Sequence, residues 1–330
     1  MKGLILCAGK GTRLQPYSFS QPKTMLPVAN KPVLEYCIEN LLRQGIEEIG
    51  IVINPGQEVI RQKIGNGERF KARIQYIIQR EQKGISHAIK QAQEFIGNHP
   101  FVLLLGDNLI AEDLKTLISS YRKDQSEGAI MLAPVEKPQD FGVAEIKGNE
   151  IVSLQEKPMQ PKSNLAVIGA YLFESIIFKA IHEISPSPRG EYEITDAIQW
   201  LMNQGYKISY TITHDLYSDI GTVPRWMDAN QWMMKKHVGE QVILGRETVV
   251  ENCIFQGPVM IGENCILKNA EIGPFVAVEN DCTIENGKID MSILLEKSTI
   301  SQFHSISNSI IGREAYLKGW HGPVFNHLKL

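Results

Sequence analysis

The residues best suited to chemistry lie near the N-terminus, in a glycine-rich turn at residues 9–13 that follows an apolar run. The turn offers backbone N–H groups, the hydroxyl of Thr12 and the guanidinium of Arg13, and the ammonium of Lys23 follows directly after a proline. Backbone N–H groups and cationic side chains at the end of a strand are typical of a loop that wraps a polyphosphate. The stretch therefore predicts a phosphate-binding loop.

This turn differs from two familiar phosphate loops. A P-loop needs Ser or Thr after Gly-Lys, whereas Gly11 follows Gly9 and Lys10 here. The dinucleotide-binding fingerprint needs a third glycine at the position that Leu14 occupies. An ordinary glycine turn after a strand therefore stays open as an alternative when the turn is considered alone.

Two aspartates follow strand-like segments. Asp107 comes almost directly after the apolar run at residues 101–105, and Asp219 follows another such segment and precedes a tight turn. Mg²⁺ usually binds through one or two carboxylates together with substrate phosphates. Each aspartate alone could equally cap a turn, but the two of them beside a phosphate loop favour a Mg²⁺ site.

Three further polar clusters are candidates for substrate binding. Each on its own is more typical of a solvated surface, so their meaning depends on their order along the chain. The clusters are Gln79 with Gly84, Glu156 with Lys157 and Pro158, and the segment Arg-Gly-Glu-Tyr-Glu-Ile-Thr at residues 189–195.

Residues 1–110 alternate between strand-like and helix-like patterns that would position these side chains. Alternating strands and helices predict βαβ units and a mostly parallel, doubly wound sheet. Ligands bind at the carboxyl ends of the strands in such sheets, so we expect the turns at 8–15 and 106–108 to share one edge. The predicted strands lie at 4–7, 49–53, 74–78 and 101–105, and the predicted helices at 33–42 and 85–96.

After residue 130 the pattern changes. Shorter runs without intervening helices, between residues 130 and 171, predict added antiparallel strands. A segment rich in Trp and Met predicts a connector helix at 223–237, so we predict a catalytic domain at 1–237 and a second domain at 238–330. Between these regions we predict helices at 174–183 and 194–203 and a strand at 208–212.

Beyond residue 237 an aliphatic or aromatic residue recurs at every sixth position, with a one-residue slip. This spacing predicts a parallel β-helix in which three six-residue segments make one turn and the anchors stack into a continuous core. A β-sandwich, the alternative, would show alternation with a period of two. The anchors are Ile243, Val249, Phe255, Ile261, Leu267, Ile272, Val278, Ile284, Ile300, Ile306, Ile311 and Leu317.

Composition limits the class of protein. The 330 residues are 43% hydrophobic and 22% charged, and the net charge of −3 gives no overall attraction to nucleic acid or membranes. The five cysteines are widely spaced without a Cys-x-x-Cys pair, so we expect reduced thiols rather than disulfides or a zinc site. The apolar runs are too short for a signal-peptide core or a membrane helix, which predicts a cytoplasmic protein.

The polar motifs occur in the order Gly9-Lys-Gly-Thr-Arg13, Pro22-Lys23-x-x-Leu-Pro-Val28, Gln79-x4-Gly84, Gly106-Asp-Asn108, Phe141-Gly-Val143, Glu156-Lys-Pro158, Arg189-Gly-Glu-x-Glu-Ile-Thr-Asp196 and Asp219-x-Gly-Thr222. Over the whole chain this order resembles the sugar-1-phosphate nucleotidylyltransferases, and within them the long-form thymidylyltransferases. The resemblance implies an α/β fold, with a Rossmann-like doubly wound mixed sheet followed by a C-terminal left-handed parallel β-helix of hexapeptide repeats.

The resemblance also implies a role for each motif residue. Arg13 and Lys23 would be catalytic, with Arg13 on the triphosphate and Lys23 near its α-phosphate, and Asp107 and Asp219 would bind Mg²⁺. The nucleotide would contact Leu6, Ala8, Gly9, Gly11, Thr12, Gln79 and Gly84, the last two at a pyrimidine base. The sugar phosphate would contact Asn108, Gly142, Glu156, Lys157, Val167, Tyr171 and Arg189, with Lys157 and Arg189 on its phosphate.

The chain departs from the short-form members at two places. Ala8 stands where they often have glycine, and Ile220 and Val223 flank the second metal turn where they have Thr and His. We expect Asp219 to keep its metal role despite these changes.

The implied reaction transfers a nucleotidyl group from dTTP, or UTP, to glucose 1-phosphate and releases pyrophosphate. Two alternatives stay open: transfer from UTP or another triphosphate to a different hexose 1-phosphate, and a hexapeptide-repeat acyltransferase that uses His304 or His321. The end of a β-helix exposes edges that another surface can cover. We therefore expect a homo-oligomer in which the β-helix acts as an interaction module.

Overall fold

The computed structural model describes residues 1–215 and 217–319. The chain forms two compact units, of which the first comprises Met1–Lys10 and Leu34–Ser218 and the second comprises Gly11–Val33 and Asp219–Leu330. The second unit thus includes a short N-terminal segment as well as the C-terminal part of the chain. The domain boundary predicted at residue 237 stays a prediction.

The predicted helices are present, with one interruption and one later start, since the helix predicted at 174–183 begins at Ile177. The helices predicted at 194–203 and 223–237 are confirmed at those residues. The helix predicted at 85–96 is split at Ala92, whose φ of −92° and ψ of 4° leave the helical region. The α-helices are α1 (Tyr17–Ser20), α2 (Val33–Arg43), α3 (Glu58–Ile64), α4 (Ile85–Gln91), α5 (Gln93–Ile96), α6 (Leu114–Asp124), α7 (Ile177–Glu183), α8 (Ile194–Asn203) and α9 (Val223–His237).

The strands before the C-terminal region are short, and most of them belong to the first unit. They are β1 (Lys2–Leu6), β2 (Pro27–Val28), β3 (Lys31–Pro32), β4 (Glu48–Ile53), β5 (Arg73–Ile78), β6 (Phe101–Leu105), β7 (Asn108–Ile110), β8 (Gly128–Pro134), β9 (Gly142–Lys147), β10 (Glu150–Glu156), β11 (Leu165–Phe173), β12 (Ile208–Ile212) and β13 (Tyr217–Asp219). β2 and β3 form a small antiparallel pair within the second unit.

One mixed sheet organises the first unit. Its strands lie in the order β10-β9-β11-β6-β1-β4-β5, with β8 paired to β11 and β12 paired to β8. β1 runs parallel to β4 and β6, and β4 runs parallel to β5. β11 runs antiparallel to β6, β8 and β9. The doubly wound mixed sheet is confirmed, including the antiparallel strands predicted after residue 130.

The central strands are apolar because the sheet is covered on both faces. Leu4 in β1 and Leu103 in β6 have no exposed surface. The carboxyl ends of these strands are neighbours, since the backbone N–H of Gly106 donates to the carbonyl of Leu6 at 2.9 Å. The edge where the predicted phosphate loop begins is therefore also the edge at which Asp107 lies.

The C-terminal region of the second unit is a stack of parallel strands, which confirms the predicted parallel β-helix. One of its sheets has the order β14-β17-β19-β21-β24, and the other has the order β15-β18-β20-β22-β25 with β16 on β18 and β23 on β20. The strands are β14 (Val242–Leu244), β15 (Val249–Glu251), β16 (Ile254–Phe255), β17 (Val259–Ile261), β18 (Ile266–Ile272), β19 (Val276–Val278), β20 (Thr283–Asp290), β21 (Ile293–Leu294), β22 (Thr299–Ser301), β23 (Ser305–Ser307), β24 (Ile310–Ile311) and β25 (Tyr316–Lys318).

The repeat of the β-helix is slightly shorter than three full six-residue segments. Stacked residues are 16 apart in the pairs Ala277–Ile293 and Ile284–Ile300. In the other paired strands they are 17 apart, as in the amide hydrogen bonds from Asn252 to Asn269 and from Asn269 to Asn286. One segment of such a turn therefore has five residues instead of six. This corrects the prediction of three complete hexads a turn and gives the structural cause of the one-residue slip in the anchor spacing.

The anchors form the core of the stack except in its first turn. Leu267, Ile284 and Ile300 have no exposed surface. Ile243 and Val249 are 39% and 52% exposed, because β14 and β15 have a neighbouring strand on one side only. The first turn of the β-helix thus presents apolar side chains to solvent.

Within residues 1–215 and 217–319, no helix has both the length and the apolar character needed to span a membrane. The five cysteines are free thiols. The cytoplasmic location stays a prediction.

Candidate active site

The residues predicted to form the site are divided between the two units, and each group is described within its own unit. The first unit holds Leu6, Ala8, Gly9, Gln79, Gly84, Asp107, Asn108, Gly142, Glu156, Lys157, Val167, Tyr171 and Arg189. The second unit holds Gly11, Thr12, Arg13, Lys23 and Asp219.

The backbone that leaves β1 is held by two amide side chains from the turn after β4. Gln57 Nε2 donates to the carbonyl of Cys7 at 2.8 Å, and Asn54 Nδ2 donates to the carbonyl of Ala8 at 3.1 Å. Leu6 and Ala8 are buried. Asn54 and Gln57 were missed by sequence reasoning, although the Asn-Pro-Gly turn directly after a strand was an available signal. They fix the start of the predicted phosphate loop.

Gln79 lies at the end of β5 and is 3% exposed. Its backbone N–H donates to the carbonyl of Ile53 at 2.8 Å, which ties this position to the end of β4. Its side-chain Nε2 lies 2.9 Å from Nδ1 of His87. A buried amide with one fixed partner can present its other atoms to a ligand. His87 is a third residue, after Asn54 and Gln57, that sequence reasoning missed.

Gly84 precedes α4 in a backbone conformation that requires glycine. Its φ is +98°, and a Cβ there would lie 2.6 Å from the carbonyl oxygen of Tyr192. The contact is close because the two segments are hydrogen-bonded: the N–H of Ser86 donates to the Tyr192 carbonyl at 3.1 Å. Gly84 therefore allows the start of α4 to pack on the segment that leads into α8.

Asp107 lies in the turn between β6 and β7 and is half-buried. The next residue, Asn108, is 8% exposed, and its Nδ2 donates to the carbonyl of Ile168 at 2.9 Å. Gly169 makes this possible, because a Cβ there would lie only 2.3 Å from Asn108 Nδ2. The amide of Asn108 thus anchors this turn to β11.

Glu156 is the centre of the group predicted to bind the sugar. Gly142 lies opposite it in the β9–β10 register, and Thr195 Oγ1 donates to Glu156 Oε2 at 3.2 Å. A Cβ at Gly142 would lie 2.6 Å from Thr195 Cγ2 and 3.2 Å from Glu156 Oε2. Val167 and Tyr171, from β11, are 7% and 3% exposed. The structure therefore brings Gly142 and Glu156 together with Thr195.

The pKa values in this group reflect burial. Burial raises the pKa of the Glu156 carboxyl, the nearby charge of Glu193 raises it further, and Lys157, Arg189 and the Thr195 hydrogen bond act in the opposite direction. Burial also raises the pKa of Tyr171, with a smaller contribution from Glu156. Tyr171 is therefore a neutral phenol that can donate a hydrogen bond.

Arg189 lies among three carboxylates. Its Nη2 is 2.9 Å from Glu191 Oε2 and 3.3 Å from Glu193 Oε1, and its Nη1 is 3.8 Å from Glu156 Oε1. A phosphate that binds this guanidinium would have to compete with these carboxylates.

Lys157 has a positive φ of 43°, and its backbone N–H donates to the carbonyl of Phe141 at 2.9 Å.

In the second unit, Gly11 lets the predicted phosphate loop turn close to Lys23. Its φ is +65°, and a Cβ there would lie 3.3 Å from the Cβ of Lys23. A 3₁₀ turn at Thr12–Leu14 follows Gly11, and a second one, Lys23–Met25, follows Pro22. Two of the predicted phosphate-binding residues, Gly11 and Lys23, are therefore neighbours.

Asp219 lies at the end of β13, just before α9. A Cβ at Gly221 would lie 3.0 Å from Asp219 Oδ2 and 3.4 Å from Arg13 Nη2, so the guanidinium and the carboxylate approach the same glycine. Asp219 also forms an ion pair with Arg225 in the first turn of α9. The structure thus brings Arg13 and Asp219 together around Gly221, with Arg225 as a further charged residue that sequence reasoning missed.

Each of the two aspartates, considered within its own unit, has the donor chemistry that Mg²⁺ prefers. Asp107 is half-buried and the side chain of Asp219 is 24% exposed, so both are hard oxygen donors within reach of solvent. Mg²⁺ retains several waters and takes the remaining ligands from substrate phosphates. Within the described residues, no three His, Cys, Asp or Glu side chains are grouped as a metal cluster.

Comparisons with known proteins agree with this architecture. Residues 2–236 match the family described as Nucleotidyl transferase, and residues 255–322 match the GMPPB C-terminal domain. The chain is 36% identical over 327 residues to the glucose-1-phosphate thymidylyltransferase of Streptomyces griseus. The aligned region covers 95% of this chain and 92% of that relative. It is 37% identical over 224 residues to the UTP–glucose-1-phosphate uridylyltransferase AglF of Haloferax volcanii. This second aligned region covers 67% of this chain and 91% of that relative.

A solved structure shows the same likeness. A Bacillus anthracis protein assigned to the glucose-1-phosphate thymidylyltransferases, determined with sucrose, matches with a TM-score of 0.67 at 33% identity. The match covers 70% of this chain and 94% of that protein. The chain belongs to the nucleotidyl transferase family, among its sugar-1-phosphate nucleotidyltransferases.

Proposed function

We propose that the protein transfers a thymidylyl group from dTTP to glucose 1-phosphate and releases pyrophosphate, with Mg²⁺ as cofactor. The observation that carries this proposal is the group around Glu156, whose carboxylate lies 3.2 Å from Thr195 Oγ1 and 3.8 Å from Arg189 Nη1. A carboxylate accepts hydrogen bonds from sugar hydroxyls, and a guanidinium matches the geometry of phosphate oxygens. The two groups side by side suit a sugar phosphate.

The choice of a pyrimidine triphosphate rests on Gln79 and Gly84. An amide side chain can accept from an imide N–H and donate to a carbonyl, which is the pattern on the edge of thymine. Uracil presents the same edge. The likeness to the Streptomyces griseus enzyme over 95% of this chain favours dTTP, whereas the likeness to AglF makes UTP-dependent transfer, to glucose 1-phosphate or another hexose 1-phosphate, the alternative.

The chemistry needs alignment and charge neutralisation more than proton transfer. A phosphate oxygen of glucose 1-phosphate attacks the α-phosphorus of the triphosphate, and pyrophosphate leaves from the opposite side. The nucleophile is already anionic, so no general base is required. Arg13 and Lys23 would neutralise the triphosphate, while Lys157 and Arg189 would bind the sugar phosphate. Asp107 and Asp219 would hold Mg²⁺, which neutralises charge on the phosphate oxygens when bound.

A hexapeptide-repeat acyltransferase is a less supported alternative. It would need a catalytic histidine on the β-helix, and His304 is exposed there. His321 lies outside the described residues. No contact of His304 within the described residues favours an acyl-transfer site over an ordinary surface position.

The test is a matrix of triphosphates against sugar 1-phosphates with Mg²⁺ present, in which pyrophosphate release is measured. The triphosphates are dTTP, UTP, CTP and GTP, and the acceptors are the 1-phosphates of glucose, N-acetylglucosamine and mannose. We expect the largest kcat/KM for dTTP with glucose 1-phosphate. A larger value for UTP would select the alternative, and no pyrophosphate from any pair would overturn the enzyme assignment.

We also propose that the protein is a cytoplasmic homo-oligomer assembled through the β-helix. The exposed apolar anchors Ile243 and Val249 in its first turn support this. Light scattering should give a subunit number above one for the full chain and a smaller number for a chain that ends near His237. The same subunit number for both would exclude the β-helix as the assembly element.

A further inference from the structure

The second unit joins the N-terminal arm, defined as residues 11–33, to the β-helix through side-chain hydrogen bonds. The hydroxyl of Tyr17 donates to the carbonyl of Ile310 at 3.0 Å. Nδ2 of Asn30 lies 2.7 Å from the carbonyl of Val278 and 3.5 Å from that of Met260. The arm carries Arg13 and Lys23, so the loop proposed to bind the triphosphate is attached to the C-terminal region.

These contacts all fall on one sheet of the β-helix. Met260 is in β17, Val278 in β19 and Ile310 in β24, which belong to the sheet β14-β17-β19-β21-β24. Asn30 reaches two adjacent strands, and Tyr17 reaches the last strand of that sheet. The arm therefore contacts strands from several turns of the β-helix. Several contacts restrict the position of the arm more than one contact would.

Tyr17 is buried and Asn30 is half-buried, which restricts the geometry of their contacts. Tyr17 is 5% exposed, and its ring packs edge-on against Trp226 with centroids 5.6 Å apart and planes at 79°. Burial raises the pKa of Tyr17 to about 12, so its hydroxyl remains a neutral donor. Arg313 adds a contact from the β-helix side, since its Nη2 donates to Oε1 of buried Gln21 at 3.3 Å.

Helix α9 holds the arm independently of the β-helix. Oδ1 of Asn230 accepts from the N–H of Ala29 at 2.8 Å, and Nε1 of Trp226 donates to the carbonyl of Pro27 at 2.6 Å. Both α9 side chains are almost fully buried. Because α9 anchors residues 27–29, loss of a β-helix contact is expected to shift the arm without unfolding it.

We propose that the β-helix positions Arg13 and Lys23 for the triphosphate, with Tyr17 and Asn30 as positioning residues that transmit the constraint. Tyr17 lies between Arg13 and Lys23 in the arm, and the backbone at Asn30 has a φ of +55° that directs its side chain onto the β-helix strands. The β-helix is then part of the catalytic architecture as well as an interaction module. This inference rests on the proposed roles of Arg13 and Lys23.

The test uses the full-length chain with Tyr17→Phe and Asn30→Asp, which remove donors while preserving shape. The matched controls are Tyr316→Phe, at a tyrosine that is 64% exposed on β25, and Asn252→Asp, at an exposed asparagine of the β-helix that also has a positive φ. Each variant is assayed for kcat, for KM of dTTP and glucose 1-phosphate, and for thermal stability.

We expect Tyr17→Phe and Asn30→Asp to raise the KM for dTTP or lower kcat by about tenfold or more, because small displacements of charge-neutralising groups are costly. The KM for glucose 1-phosphate should change less than about twofold. Both controls should keep wild-type kinetics, although Asn252→Asp also removes the amide hydrogen bond to Asn269. Lower thermal stability with wild-type kinetics for dTTP would show that the contacts are merely structural, which would overturn the proposal.

A second measurement separates this proposal from the proposed function. Hydrogen–deuterium exchange of peptides that cover residues 11–25 needs no turnover, and tripolyphosphate can serve as the probe ligand. We expect faster exchange and weaker protection by tripolyphosphate in Tyr17→Phe and Asn30→Asp than in the controls. If wild type shows no pyrophosphate release but these differences are present, only the proposed function fails. Unchanged exchange and protection would overturn the positioning role.

Discussion

The side chains of Gln79 and His87 are hydrogen-bonded, with Nε2 of the amide 2.9 Å from Nδ1 of the imidazole. Gln79 directly follows β5, and His87 lies in the first turn of α4. When the ring is neutral, Nδ1 accepts from the amide N–H, which leaves the amide oxygen as an acceptor. That oxygen is the atom that would accept the imide N–H of thymine or uracil. His87 is therefore placed to determine how Gln79 would face the proposed base.

The first prediction concerns the pH dependence of triphosphate use. Burial lowers the pKa of His87, and Lys83 and Lys90 lower it further, whereas Glu81 acts in the opposite direction. Protonation makes Nδ1 a donor that conflicts with the amide N–H. We expect kcat/KM for dTTP to fall as the pH drops through this lowered pKa, below the ordinary histidine value of about 6.5. His87→Gln keeps an acceptor and should flatten the profile.

The control for this profile is His182→Gln. His182 lines the same cavity as His87, Lys83 and Lys90, but its Nδ1 lies 2.5 Å from the carbonyl of Phe178. This variant should keep the decrease in kcat/KM at low pH. If the same decrease persists unchanged in His87→Gln, His87 is excluded as the titrating group.

The second prediction tests the space at Gly142. A Cβ there would lie 2.6 Å from Thr195 Cγ2, so Gly142→Ala should displace the threonine and its hydrogen bond to Glu156. We expect the KM for glucose 1-phosphate to rise about tenfold or more. Thr195→Ser removes Cγ2 but keeps the hydroxyl, so the double variant should recover most of the affinity. Failure of the double variant to improve on Gly142→Ala would contradict this steric account.

The third prediction uses the raised pKa of Glu156, which comes first from burial and then from Glu193. A raised pKa means that the folded protein holds this proton more tightly than the unfolded chain. Binding of this proton stabilises the folded protein fully below the unfolded-state pKa of about 4.3. The stabilisation is lost as the pH rises through the raised pKa of the folded state. At neutral pH the charged carboxylate therefore costs stability.

Glu156→Gln should consequently raise Tm at neutral pH by about 1–3 °C, while the KM for glucose 1-phosphate rises by about tenfold or more. The control is Glu145→Gln on β9, where the carboxylate pairs with Lys147 and Lys162 at 3.7 and 3.3 Å. This variant should leave the KM unchanged. A Tm that falls in Glu156→Gln would show that its ionised form is stabilising.

The fourth prediction concerns the proposed metal ligands. Asp107→Asn should lower kcat by about 100-fold or more because a neutral amide is a much weaker Mg²⁺ ligand than a carboxylate. Asp140→Asn, at an exposed aspartate after β8, is the matched control. Thermal stability should be similar in both variants, and chelation of divalent ions should abolish wild-type turnover. Near-normal activity of Asp107→Asn would remove this residue from the metal site.

The fifth prediction concerns Lys157, whose ammonium is proposed to bind the sugar phosphate. Lys157→Ala should raise the KM for glucose 1-phosphate more than the KM for dTTP, by about tenfold. Lys162→Ala is the control, because Lys162 pairs with Glu145 on the surface. Equal changes in both KM values for Lys157→Ala would argue against a role confined to the sugar phosphate.

Local patterns predicted much of the secondary structure. Helix α9 is a clear case, since Thr222 caps its first turn and Pro224 fits there, so its predicted and observed bounds coincide. The parallel β-helix was predictable because its anchors recur in sequence. The break at Ala92 was not predictable, because no glycine or proline marks it and tertiary packing decides where α4 ends.

The sequence by itself determined the alternation of strands and helices, the glycine-rich loop and the repeat of the C-terminal region, because these depend on residues close in the chain. Only the tertiary structure decided which distant side chains meet. Thr195 reaches Glu156 across 39 residues, and Tyr17 reaches the Ile310 carbonyl across 293. The periodicity of apolar residues indicates which face of a helix or strand is buried. It does not indicate which other element packs against that face. For that reason the sequence could show the motif residues, whereas it could not show the contacts of His87 and Asn54 or the attachment of residues 11–33 to the β-helix.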